Sequence, residues 1–278
     1  MRRVVPVPMR LPEAVLLALC VLATASCSRL DFVKPSGKND YRPEARTYNT
    51  RGTPESRRNE TARTQLAIAR REYGAGDFDA AAAAARAALQ GEGVAADSHT
   101  LLAVIEDRRG QGAKAGSHYR AAAERAPDQG AYLNNYGTWL CRNGRAGEAL
   151  AYFDAAVRDP AYGDPSGALA NAGVCAMTAG DPGRVERDLR AALELDPVNV
   201  VALDGMARYL EAGGRYFEAR AFSQRRLAAA PATAAALQLA ARIETALGDS
   251  GAAERYQRRL RDEFPAAPYL QTRETSPP

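Results

Sequence analysis

The sequence predicts an all-α protein, an α-α superhelix of six helix-turn-helix units stacked as a solenoid, preceded by a signal peptide and a flexible tether. Three observations predict it. Glycines recur at 76, 110, 144, 180, 214 and 248, every interval being 34 residues except the third, which is 36. Prolines at 127, 197, 231 and 265 keep the same beat. Small residues hold a fixed phase between these markers: Ala69, Ala103, Gly137, Gly173, Ala207 and Ala241, then Ala81, Ala115, Ala149, Val185, Ala219 and Ala253. A glycine closes one helix, a proline ends the next, and small residues let adjacent helices approach. The stacked faces bury a continuous core that one unit alone could not form.

A period of 34 with these residues in fixed phase is the tetratricopeptide (TPR) pattern. The chain has 278 residues, 46% of them hydrophobic, with a net charge of +4. One long solenoid accounts for that length better than two ordinary domains. The charge is mild and spread out, unlike the basic stripe of a nucleic-acid binder, so no nucleic-acid partner is expected.

Residues 1–26 read as a lipoprotein signal peptide. Arg2, Arg3 and Arg10 form a positive region, and AVLLALCVLA is an apolar stretch too short to span a bilayer. Met9 would serve as well as Met1 for a start. Thr24, Ala25 and Ser26 precede Cys27, which resembles a bacterial lipobox, with Thr standing where an aliphatic residue is usual. That resemblance implies diacylglycerol attachment and N-acylation at Cys27, and several acyl chains on one residue hold stably where one is marginal. Ser28 follows rather than Asp, so the outer membrane, periplasmic face, is the expected address. Residues 27–61 carry Pro, Gly, Asn, Thr, Ser and mixed charge without an apolar period, the composition of a disordered tether.

The glycine register places the six units at 62–95, 96–129, 130–163, 166–199, 200–233 and 234–267. The first is Ala-rich and lacks large anchors. The fifth and sixth put Arg226 and Leu260 where Ala is usual in the second helix. The last helix, 250–263, carries Arg255, Arg258, Arg259 and Asp262 and suits a polar cap. Residues 268–278 read as a disordered tail.

The third unit carries two extra residues around Pro160–Pro165. Asn134, Asn135 and Thr138 are polar residues of its first helix, and Asn171 matches Asn135 one unit later. First helices line the concave face of such arrays, so these four are candidate partner-binding residues. Bonds to helix ends and neighbouring turns are an equally good use of Asn135 and Asn171. Tyr132, Tyr136, Trp139 and Phe153 read as core, since stripes at helical spacing are usually packing. Cys141 and Cys175 lie in neighbouring first helices. An oxidising periplasm favours a disulfide, but their phases differ by about half a turn, so a bond and two buried thiols both stay open.

No reactive constellation emerges, and neither a cofactor nor a small-molecule substrate is implied. His99 and His118 stand 19 apart with no metal-ligand spacing or triad partner. The run GEG at 91–93 lacks the strand and the ending of a phosphate loop. The chain reads as a non-enzymatic scaffold.

The segment NNYGTWLCRNGRAGEALAYFDAAVRDPAY, followed by ALANAGVCAMTAGD, ALDGMARYLEAGGRYFEARAFSQRRLAAAP and ARIETALGDSGAAERYQRRLRDEFP, resembles the PilF/PilW family of type IV pilus biogenesis and stability lipoproteins, the pilotins. The resemblance implies an outer-membrane lipoprotein whose repeats bind subunits of the pilus secretin and promote their localisation and multimerisation. A rival of another class is a general periplasmic TPR adaptor that recruits cell-wall hydrolases or proteases.

Overall fold

The computed structural model describes residues 52–266. The signal segment with Cys27, the tether up to residue 51 and the tail 268–278 lie outside the described residues. Among the described residues there are twelve α-helices and one 3-10 turn, with no strand. The helices form six antiparallel pairs: α1 (Pro54–Ala75) with α2 (Phe78–Ala88), α3 (Ala95–Arg108) with α4 (Gly112–Arg125), and α5 (Gly130–Arg142) with α6 (Ala146–Arg158). Then follow α7 (Pro165–Ala179) with α8 (Pro182–Leu195), α9 (Val200–Ala212) with α10 (Tyr216–Ala229), and α11 (Ala234–Ala246) with α12 (Ser250–Glu263). The chain is an all-α TPR solenoid.

Each pair turns on its periodic glycine. All six have positive φ, between 72° and 85°, a region that costs any residue with a Cβ. The residue after each glycine (Asp77, Gln111, Arg145, Asp181, Arg215, Asp249) donates its backbone N–H to the carbonyl five residues earlier. Orphan carbonyls of the first helix are thereby satisfied in one repeated motif. Asp77, Asp181 and Asp249 then cap the second helix through their carboxylates.

The stacking gives the array two unlike faces. Every first helix touches the first helix of the next unit, whereas no pair of second helices does so comparably; each second helix packs against the next unit's first helix. The first helices are therefore crowded on the inside of the curve and the second helices splay outside. Within each hairpin, small residues let the two helices approach closely. A Cβ on Gly137 would lie 2.9 Å from the Phe153 ring, and one on Gly173 would lie 2.6 Å from Leu189 Cγ. Phe153 and Leu189 are in turn among the most buried side chains.

Some elements depart from the sequence expectation. α1 begins at Pro54, not near 62, so residues 54–61 are helix rather than tether. Thr53 accepts from the Ser56 N–H, and Pro54 occupies the first position, a strong start signal. The turns that follow are polar all round, and no apolar stripe marks them. Tyr132 and Trp139 are half-buried, whereas Tyr136 and Phe153 are buried. Arg226 is buried and donates to the Ala230 and Pro231 carbonyls, closing the end of α10. Leu260 is buried at its site. The extra residues of unit three form a loop in which Asp159 accepts from the Gly130 and Ala161 N–H groups, each at 2.8 Å. That carboxylate ties the end of the unit back to its beginning.

Two glycines at the end of α1 should respond oppositely to one substitution. Gly74 lies in the helix with nothing near a Cβ, so Gly74→Ala is expected to stabilise by about 0.5 kcal/mol. Gly76 has φ 85°, so Gly76→Ala should cost about 1 kcal/mol or more. Urea unfolding of the two variants checks both signs.

Candidate functional site

The inner face is built from the first helices, and its middle is unlike its ends. Near the ends charged side chains pair across neighbouring first helices. Arg70 of α1 meets Asp97 of α3 at 3.0 Å, Arg142 of α5 lies 4.0 Å from Asp107 of α3, and Arg242 of α11 meets Glu211 of α9 at 2.7 Å. Such partly exposed pairs each contribute under about 1 kcal/mol, so they do more to set the potential of the surface than its stability.

Between α5 and α7 the contact is uncharged. Asn171 donates its side-chain amide to Asn134 Oδ1 at 3.1 Å and to Thr138 Oγ1 at 3.5 Å. Thr138 donates back to the Asn134 carbonyl at 2.8 Å, which fixes its rotamer. Three of the four candidate partner-binding residues thus converge. Asn135 does not join them; it is half-buried and makes no side-chain hydrogen bond among the described residues. Asn171 pairs with Asn134, not with a helix end or with Asn135. After these bonds Asn134 keeps its amide N–H₂ and Asn171 its carbonyl oxygen for an outside partner, and neither atom is a buried orphan. Together they offer a donor and an acceptor, the complement of a peptide unit.

One turn further on, Cys141 of α5 and Cys175 of α7 are joined as a disulfide, with Cα atoms 5.8 Å apart. Counted on straight helices their phases disagree. Cys141 stands three residues before its turn glycine and Cys175 five before its own, and the two first helices pack with that offset. That offset brings the last turn of α5 beside the penultimate turn of α7. Cys175 is fully buried and Cys141 half-buried.

The structure also assembles a pair that sequence reasoning missed. His99 of α3 and His118 of α4 face each other, Nδ1 to Nδ1 at 3.0 Å. His99 stands eleven residues before its turn glycine, where Leu133, Leu169, Leu203 and Leu237 stand in the later units. That internal register, with a titratable ring where leucine recurs, was the available signal. His99 is only 8% exposed. Its burial, then Arg125 and then His118, push its pKa down to about 4. Burial likewise lowers His118. No group of three or more His, Cys, Asp or Glu among the described residues could hold a metal ion.

An array of stacked helical hairpins with an uncharged, hydrogen-bonding strip on its inner face defines a TPR interaction scaffold. The crystal structure of PilW, a widely conserved type IV pilus biogenesis factor, is 30% identical and superposes with a TM-score of 0.71, over 78% of this chain and 100% of that one. This chain belongs to the PilW family of type IV pilus biogenesis factors. PilF of Pseudomonas aeruginosa, at 24% identity and a TM-score of 0.67 over 78% of this chain and 98% of that chain, shares the fold. So does a tetratricopeptide repeat protein of Parabacteroides merdae, at 18% identity and a TM-score of 0.59 over 72% of this chain and 79% of that one. No protein-family model matches the chain, and comparison with curated proteins finds no match.

Two outcomes follow from the covalent and titratable pairs. A disulfide across 34 residues restrains the unfolded chain by roughly 4 kcal/mol. Replacing Cys141 and Cys175 together by Ser should lower the denaturant midpoint to that extent and make it indifferent to reductant. For the histidines, the folded pKa lies below the unfolded value of about 6.5. The unfolded chain therefore takes up the extra proton, stability is intact above pH 6.5 and is lost as pH falls toward 4. His99→Leu should flatten that loss, on the order of 2 kcal/mol, in unfolding curves between pH 7 and pH 4.

Proposed function

We propose that this protein is a lipid-anchored docking scaffold of the outer membrane, on its periplasmic face, that binds subunits of the type IV pilus secretin and promotes their localisation and multimerisation. It works without a reactive centre. Membership of the PilW family supports the pilus assignment. The observation that carries the docking mode is the convergence of Asn134, Thr138 and Asn171 on the inner face, with a donor and an acceptor left over.

The physical logic follows from geometry. Acyl chains at Cys27 would confine the array to a membrane surface, and the stretch from Cys27 to α1 would give it reach. Confinement of scaffold and secretin subunit to the same surface raises their effective concentration without tighter contacts. A curved array of six units offers an extended concave surface for a partner segment.

The test is the assembly state of the secretin. Deletion of the gene should deplete secretin multimers from the outer membrane and abolish twitching. Asn134→Ala combined with Asn171→Ala should reduce the multimers several-fold with the helical circular dichroism unchanged. Cys27→Ala should leave the repeats folded and shift the protein out of the outer-membrane fraction. Unchanged multimers in the deletion strain would refute the secretin assignment. Recovery of cell-wall hydrolases instead of a ring-forming protein in a membrane pull-down would favour the adaptor reading.

A further inference from the structure

The uncharged strip does not end at Asn171. Along α7, Val174 and Met177 sweep round the helix from the α5 side to the α9 side. A Cβ on Gly205 of α9 would lie 3.1 Å from Val174 Cγ2, so the absence of a side chain there lets α9 close down on α7. Beyond this contact opens an apolar pocket of about 270 Å³ between units four and five, walled chiefly by Met177, Pro182, Val185, Tyr209 and Ala212. Val185 is buried and belongs to the core, whereas Met177 and Tyr209 are half-buried and pack against it. The pocket is smaller than an ordinary small-molecule site and suits a single large side chain. Thr178, exposed, follows Met177 on α7.

On the first helices around this path the charges have partners, and Asp181, in the turn at the edge of the pocket, caps α8 through the Arg184 N–H. On α9, Asp204 and Arg208 neutralise each other at 2.6 Å. Glu211 is held by Arg242, and on the other side Asp107 faces Arg142. Among the described residues, every arginine between α5 and α9 on this face has a carboxylate within 4.0 Å, which disfavours the clamping of a terminal carboxylate or an acidic chain. An acidic segment laid here would lose hydration without gaining a counter-charge.

We propose that the partner segment bound on the inner face is an extended, uncharged stretch, held by its backbone at the Asn134–Asn171 pair and anchored by one large apolar side chain in the Met177–Tyr209 pocket. This rests on the docking function proposed above and specifies what is docked. Six residues of helix, from Asn171 to Met177, cover about 9 Å. An extended chain advances about 3.3 Å per residue, so the anchor lies about three residues from the clamped peptide unit, or slightly more because the path crosses α7 obliquely. The amide pair fixes direction and register, and the pocket supplies most of the affinity.

A random dodecapeptide phage library panned on the full-length chain in detergent tests the proposal, with the recovered peptides resynthesised, capped at both ends and titrated by fluorescence anisotropy. The expected peptides share one large apolar residue, carry no obligatory charge and bind with free termini blocked. Met177→Glu should weaken them tenfold or more, and Asn171→Ala several-fold. Arg242→Ala should leave them unchanged. Thr178→Glu, at an exposed site that the fold does not need, should also weaken binding and guards against misfolding of the Met177 variant. Equal binding by both Glu variants, peptides that need a free carboxylate or Arg242, or no enrichment at all would overturn the proposal. Any of these would leave the secretin assignment standing wherever gene deletion still depletes the multimers. Peptides behaving as expected beside intact multimers would instead remove the secretin and keep the site.

Discussion

The close approach of neighbouring helices, made possible where side chains are absent or minimal, is the constraint on which this molecule depends. Gly137 receives the Phe153 ring and Gly173 receives Leu189, and neither could carry a methyl group without displacement. Gly116 similarly receives the Trp139 ring from the next unit. Burying Phe153 or Leu189 completely contributes about 2–3 kcal/mol each, but only if the backbone opposite can come within contact distance. Between units, Gly205 of α9 likewise lets Val174 of α7 approach, and neighbouring first helices touch where second helices do not do so comparably, which sets the inner face of the array.

Arginines that reach across units reinforce the stack without defining it. Arg184 of α8 bonds Asp154 and the Leu150 carbonyl of α6 as well as Asp188 of its own helix. Arg215 reaches Glu186 in the previous unit at 3.1 Å, and Arg109 donates to the Phe78 carbonyl at 3.0 Å. These contacts fix the angle between hairpins whose separation the small residues already set. Against that background the centre of the inner face stands out, since between α5 and α7 the polar groups are spent on amides and a hydroxyl.

Features that obey the period could be read from the sequence, and those that depend on how two periods meet could not. The turn glycines, the proline stops and the small-residue positions each follow from local chemistry, and the order of the hairpins follows from them. The start of α1 was hidden because a helix polar on every side leaves no stripe. The His99–His118 contact joins two helices of one hairpin through residue types that the pattern does not feature. Asn171 finds Asn134, not Asn135, because neighbouring first helices are offset. The same offset sets the cysteines side by side although their phases on ideal helices disagree. Interface register, unlike helix content, is a property of packing.

The disulfide lies at the join of the third and fourth of six hairpins, the midpoint of the array. In a quasi-one-dimensional stack each unit is supported only by its neighbours, and melting travels inward from free ends. A covalent rivet at the centre halts both fronts. The strip formed by Asn134, Thr138 and Asn171 lies one turn from that rivet on the same seam, so the surface that recognises a partner coincides with the portion of the molecule that comes apart last.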